Sequence, residues 1–198
     1  MTDKLEESVL RKVRESAETQ QRFFAEQAPK LAECARRLAA AFDAGARLFA
    51  FGNGGSACDA EHLALEFLHP VIEKRPALPA LALTTSQPLL TAIANDRDFA
   101  LVFVEQLRTL ARAGDIAVGI STSGKAASVV RGLSAARELG LVTVAFTGRD
   151  GGKLVGGADY CFTVPSFSIH RIQEAHGTLI HVLWDLVHVA GGEEDVLG

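Results

Sequence analysis

Cysteine is scarce. The 198 residues hold three, Cys34, Cys58 and Cys161. The number is odd and no pair has CxxC spacing, which argues against a disulfide framework or a cysteine-based zinc site and fits a reducing cytoplasm. Long apolar runs are missing as well: none approaches the ~20 residues needed to span a bilayer. The opening MTDKLEESVLRKVRES is charged throughout, unlike a secretory signal. There is no basic run and no basic stretch interleaved with aromatics, and the formal net charge is -4, so nucleic acid is not an expected partner. Internal repeats, low-complexity tracts and long linkers are absent too. With 48% hydrophobic and 22% charged residues, what remains is an ordinary globular composition. It suits one domain, or one domain with a helical appendage.

Along the chain, the first forty-odd residues predict two helices. Leu5, Val9, Val13 and Ala17 recur at four-residue spacing and lead to Phe23 and Phe24; beyond a break near Pro29, Leu31, Cys34, Leu38 and Phe42 continue the period. Gly45 reads as a C-terminal cap. Each helix is apolar on one face and must pack on the body or on another subunit. From Arg47 the pattern alternates. Strand-like runs RLFAFG (47–52), PALAL (79–83), DIAVGIS (115–121), VTVAFT (142–147) and DYCFTV (159–164) are separated by helical stretches at Ala57–Leu68, Gln87–Ala94, Phe99–Ala113 and Ala126–Leu139, with a closing helix over Arg171–Ala190. Apolar strands each followed by a helix imply an α/β fold: a parallel five-stranded sheet with helices on both faces. The expected division is residues 1–45 as N-terminal helices used in oligomer packing and 46–198 as the α/β domain.

Ligands of such sheets bind beyond the carboxyl ends of the strands. After the first run comes Gly52-Asn53-Gly54-Gly55-Ser56 and after the third Ser121-Thr122-Ser123-Gly124-Lys125, each at a helix start. The first is neither GxGxxG nor a GxxxxGK[ST] loop, and alone reads equally as a tight turn. The hydroxyls of the second could cap their helix, the commonest task of such residues. They could also donate to phosphate oxygens, helped by the helix dipole. Two such loops at neighbouring edges favour a sugar phosphate or a similar anion.

The stretch IHRIQEAHGTLIHVLWDLVH holds four of the six histidines. At 100° per residue, Glu174, Thr178, His181, Asp185 and His188 share one stripe. His181 reads as chemical, Asp185 one turn away as the group that orients it, and His170 and His188 as polar helix ends. His176 stays open between packing and function. On an earlier helix His62 and Glu66 stand four apart, about 6 Å between Cβ atoms. That suits two ligands of one metal or a base with its partner, though such pairs are more often surface ion pairs. Gln173 lies about 80° and about 12 Å from His181, within common reach of one ion only by extended side chains.

Five ordered blocks, GNGGSACDAEHLALEF, LTAIANDRDF, GDIAVGISTSGKAASVV, AFTGRDGGKL and RIQEAHGTLIH, resemble the phosphoheptose isomerases of the sugar isomerase (SIS) domain family. The resemblance runs from about Leu48 through the last helix and implies a single SIS domain behind N-terminal helices. It implies an aldose–ketose isomerase that converts sedoheptulose 7-phosphate to D-glycero-D-manno-heptose 7-phosphate through an enediol, for bacterial surface heptose such as that of lipopolysaccharide. It further implies a cytoplasmic homotetramer with interfacial active sites, one zinc per subunit, and no membrane or direct nucleic-acid binding. By motif, the metal set falls on His62, Glu66, Gln173 and His181, with Glu66 as base and His181 as acid. Substrate contacts fall on Asn53, Gly54, Ser56, Asp96, Ser121, Thr122, Ser123 and Gln173. Such chemistry needs one group to carry a proton between adjacent carbons and another to serve the oxygens, and a cation that polarises the carbonyl helps.

The sequence departs from its relatives at Ala126, where many carry serine, at His69-Pro70, where an arginine is frequent, and at His170, where a small or acidic residue is common. These bear on which phosphosugar enters. The alternatives are an isomerase of another phosphosugar, a phosphosugar-sensing regulator, which lacks any appended DNA-binding module here, and a non-catalytic SIS adaptor that binds the bacterial replication initiator. The joint presence of His62, Glu66, Gln173 and His181 favours the enzyme.

Overall fold

The computed structural model describes residues 3–72 and 74–195. Residues 1, 2, 73 and 196–198, the outer ends of both expected divisions among them, lie outside that description. Five strands, β1 (Leu48–Gly52), β2 (Ala80–Ala82), β3 (Ile116–Ser121), β4 (Val142–Gly148) and β5 (Tyr160–Val164), form one sheet in the order β2-β1-β3-β4-β5. Every pairing is parallel.

The strands alternate between two cores, which is why they read as apolar throughout. Leu48, Ala50, Ile116, Val118, Val144 and Phe146 face one way, into a core completed by α1 (Lys4–Asp43), α2 (Gly55–Leu68) and α6 (Ile169–Ala190). Phe49, Phe51, Ala117 and Ala145 face the other, against α4 (Val102–Leu110) and α5 (Ala127–Glu138), with α3 (Gln87–Asp96) at its margin. The fold is therefore the expected parallel α/β sandwich. The helix expected over Phe99–Ala113 is shorter. A 3-10 turn at Phe99–Leu101, capped by Asp98 accepting from the Ala100 N–H at 2.8 Å, leads into α4, which stops at Leu110.

The N-terminal segment departs from expectation in one respect. The two helices foreseen on either side of Pro29 are a single helix, α1, with Pro29 inside it. A proline in a helix interior forfeits one hydrogen bond and crowds the preceding turn, at about 3 kcal/mol. Phe23 before it and Leu31, Cys34, Leu38 and Phe42 after it are all buried in the same core. At about 1.5–3 kcal/mol for each large apolar side chain, that shared burial outweighs the penalty. Gly45 follows the helix at φ +83 and donates to Phe42 O at 2.8 Å, the close-out foreseen for it. Towards its start α1 leaves Leu5, Val9, Leu10 and Val13 exposed. Among the described residues no helix is long and apolar enough to cross a membrane.

Candidate active site

β1 and β3 are neighbours at the centre of the sheet. Chain order reverses between them, with β2 on one side and β4 and β5 on the other. In open α/β sheets of this order the crevice at that reversal, beyond the carboxyl ends, is where ligands bind. Both glycine- and hydroxyl-rich loops leave the sheet there. Gly54, at φ 56 and ψ -125, turns the first loop sharply into α2, a backbone state that favours glycine. Ser56, in the first turn, is buried and its N–H donates to Asn53 O at 3.1 Å.

The capping reading of Ser121, Thr122 and Ser123 does not hold: α5 starts only at Ala127, behind Ala126, and no side chain caps it. Ser121 ends β3 and is buried, Thr122 is half-buried, and Ser123 Oγ accepts from the Lys125 N–H at 3.3 Å. The start of α2 has no side-chain cap either. Two helix starts without side-chain caps thus face the same crevice, and helix N-termini are where anions are received; in α2 the Ser56 and Ala57 N–H groups already donate to the loop carbonyls of Asn53 and Gly54. Asn53 Nδ2 donates to Ser128 Oγ at 2.9 Å and ties the first loop to the first turn of α5. Sequence reasoning missed Ser128, since a serine early in a helix carries no signal of a partner 75 residues away.

On α2, two turns beyond this loop, His62 and Glu66 meet His181 of α6. His62 Nε2 lies 3.3 Å from Glu66 Oε1, His181 Nε2 lies 3.9 Å from the same oxygen, and the two ring nitrogens are 3.1 Å apart. Glu66 is the most enclosed of the three, its side chain 16% exposed against 36% for His62 and 60% for His181. Donors about 2.1 Å from a tetrahedral zinc stand about 3.4 Å from one another. The three separations bracket that value, and two imidazoles with a carboxylate are a donor set that zinc accepts. The trio is a group able to hold a metal ion. Gln173 lies elsewhere: a Cβ built on Gly55 would come 2.0 Å from its Nε2. Its amide therefore covers the start of α2, beside the first loop. Asp96 ends α3, exposed, and accepts from Asn95 Nδ2 at 2.8 Å.

The stripe along α6 turns out to serve several neighbours. Glu174 accepts from Ser16 Oγ at 2.6 Å, and Thr178 donates to Gln20 Oε1 at 2.7 Å, both on α1. Asp185 does not orient His181 as expected; its Oδ1 lies 2.7 Å from Arg75 Nη1, a charged partner from the connection after α2. His176 is fully buried, hydrogen-bonded through Nε2 to Thr147 O at 3.1 Å and packed near Phe146. Burial lowers its pKa to about 4, against a small opposing effect of the Thr147 bond, so it is a neutral core residue and its open reading closes on packing. His188 is buried against Phe67 and Trp184 and its pKa is lowered by burial and by Arg75, while His170 is exposed in the first turn of α6. Asp59, one turn before His62, is half-buried. Burial raises its pKa to about 6, partly offset by His62.

A family model described as the SIS domain matches residues 13–148. The phosphoheptose isomerase of Thermodesulfovibrio yellowstonii is 42% identical over 193 residues, covering 98% of this chain and 93% of its own. That of Aquifex aeolicus is 46% identical, covering 91% and 95%. The chain belongs to the phosphoheptose isomerase family. A solved phosphoheptose isomerase from Neisseria gonorrhoeae superposes with a TM-score of 0.86 at 39% identity, over 92% of this chain and 98% of that one. The SIS match ends with β4, whereas the similarity to the first of these relatives, over 98% of this chain, extends into α6. Of the positions singled out in the sequence, Ala126 precedes α5 as its N-cap and offers no side-chain hydrogen bond there, and His69 closes the C-terminal end of α2.

Proposed function

We propose that this chain interconverts sedoheptulose 7-phosphate and D-glycero-D-manno-heptose 7-phosphate. The observation that carries the reading is the convergence of His62, Glu66 and His181 beside two uncapped helix starts at the β1/β3 reversal. The sugar phosphate enters with its phosphate against the N-termini of α2 and α5, held by Ser56, Ser121, Thr122, Ser123 and the N–H groups around Gly54. Asn53, Asp96 and Gln173 face the sugar. Glu66 takes a proton from the carbon next to the carbonyl and returns it to the neighbouring carbon, while His181 gives and takes the proton of the oxygens. The half-buried setting of Glu66 keeps bulk water from competing for that proton.

His62, Glu66 and His181 would hold one zinc per subunit, and Gln173 would complete the set as fourth donor by swinging its amide away from the start of α2. Such an ion polarises a carbonyl and so lowers the barrier to enediol formation. A carboxylate bound tightly to a cation is a poor base, so Glu66 would serve as base with its metal bond loose or absent. We assign residues 1–45 to assembly and 46–198 to the SIS domain. The working form is a cytoplasmic homotetramer in which the exposed Leu5, Val9, Leu10 and Val13 are covered by other copies.

The test is turnover of sedoheptulose 7-phosphate by purified protein with and without added zinc, following the aldose phosphate. Turnover that disappears in His181→Ala, and in Glu66→Gln with the far-UV spectrum unchanged, is the expected result. A folded, zinc-supplied protein that does not turn over this sugar would overturn the reading. Near-normal rates in Glu66→Gln would remove Glu66 as the base.

A further inference from the structure

One turn along α6 from His181 come Trp184 and Asp185, and both are held by Arg75, a residue of the connection between α2 and β2. The Arg75 side chain is 2% exposed. Its Nη1 lies 2.7 Å from Asp185 Oδ1, its Nη2 donates to Glu194 O at 2.9 Å, and its guanidinium lies over Trp184, 4.8 Å from the ring centroid. Trp184 packs edge-on to His188 at 5.1 Å, and His188 stacks on Phe67 at 6.4 Å. Phe67 is the residue after Glu66. The contacts therefore close a circuit: from Glu66 and Phe67 of α2, across His188 and Trp184 of α6, to Arg75, and back along the chain into α2.

Burying a guanidinium gains little stability over an apolar side chain of the same volume. What it adds is several contacts from one rigid plane: Nη1 pairs by charge with the Asp185 carboxylate without hydrogen-bond alignment, Nη2 donates to the Glu194 carbonyl, and the face covers the Trp184 ring. Two of these contacts, to Trp184 and Asp185, fall on the part of α6 that follows His181, and the third falls on Glu194 just beyond its end. The donor atoms of His62, Glu66 and His181 are 3.1 to 3.9 Å apart, so a shift of α6 along α2 by a fraction of that distance would open the trio. We propose that Arg75 is a positioning residue that holds α6 in register with α2 and so sets the geometry of the metal-binding trio. The proposal rests on the metal reading given above.

The test uses the full-length chain carrying Arg75→Lys, which keeps the charge and loses the fork, and Asp185→Asn, which keeps the shape and loses the charge. Far-UV circular dichroism and thermal melting report the fold, chelator competition reports zinc affinity, and titration with inorganic phosphate reports the anion site. Zinc affinity is expected to fall about 10- to 100-fold in Arg75→Lys, the usual consequence of losing support behind a ligand. Phosphate affinity and KM should stay unchanged while kcat falls. If Arg75→Lys fails to fold, Asp185→Asn decides, with a loss of zinc affinity in the same direction. Folded variants that bind zinc as tightly as the unsubstituted chain would overturn the clamp alone. An unsubstituted chain that binds no zinc would overturn the metal reading, and the clamp with it.

Discussion

Gly55→Ala separates stability from activity in this protein. The added Cβ would come 2.0 Å from Gln173 Nε2, and ordinary contact begins at 3.4 Å, so the amide must retreat by 1.4 Å or more. Retreat is easy in energetic terms, because the obstructing atom is the far end of a flexible side chain. The backbone at Gly55 is helical and exposed, and alanine is favoured over glycine in a helix by up to about 1 kcal/mol. The melting temperature should therefore hold or rise, by at most about 2–4 °C for a chain of this size. Activity should go the other way. A group displaced by about 1 Å from its working place can lose a reaction about 10²-fold, or about 2.7 kcal/mol of transition-state stabilisation. Turnover of sedoheptulose 7-phosphate and thermal melts on the same preparations would measure both. Gln173→Ala should show a comparable loss, and the double variant should be no worse than either single one, since both act on one contact. A Gly55→Ala protein with kcat/KM within threefold of the parent would refute the placement of Gln173 as functional.

Two other outcomes follow from buried groups. His176 ionises at about 4 in the fold against 6.5 ordinarily, so the unfolded chain binds its proton first. Its contribution to stability is full above pH 6.5, declines as pH falls towards 4, and amounts to about 3 kcal/mol in all. Unfolding free energies from urea melts at pH 7 and pH 5 should differ by about 2 kcal/mol less in His176→Gln than in the parent, and equal differences would show that burial does not suppress its protonation. Deleting residues 1–44 removes Phe23, Leu31, Leu38 and Phe42 from the core. At about 1.5–3 kcal/mol each, that loss is comparable with the whole stability of a typical domain, about 5–15 kcal/mol. The product should be aggregated or unfolded by circular dichroism and sedimentation, whereas a monodisperse, active truncation would contradict it.

Much of the architecture was legible because local and global signals agree. The strands of the sheet are apolar on both faces and the helices between them keep one period, so their order and ends could be read to within a few residues. Pro29 misled because a local breaker was weighed without the core that spans it. The loops after β1 and β3 were legible as a pair, since strand order alone brings them together. His62 and Glu66 were visible through their spacing on one helix. Arg75 was not, because nothing in EKRPALP distinguishes a buried guanidinium from a solvated one until Asp185 and Trp184 arrive from the far end of the chain. Asp185 was assigned to the wrong partner for the same reason: helical spacing shows which residues are neighbours on one helix and says nothing of what faces them from another.

His62 and His181 are 119 residues apart in the chain, and this separation orders events during synthesis. At about 5–20 residues per second, roughly 6–24 s pass between the making of one and the other. Throughout that interval the emerging chain carries only half a chelate, a histidine and a carboxylate on one helix, which compete poorly for a scarce cation. The complete set of donors exists only after the last helix has left the ribosome and docked. Metal therefore cannot act as a template for the early fold. An ion held by this trio would join a chain whose helices are already docked and, by binding only that folded form, would add to its stability.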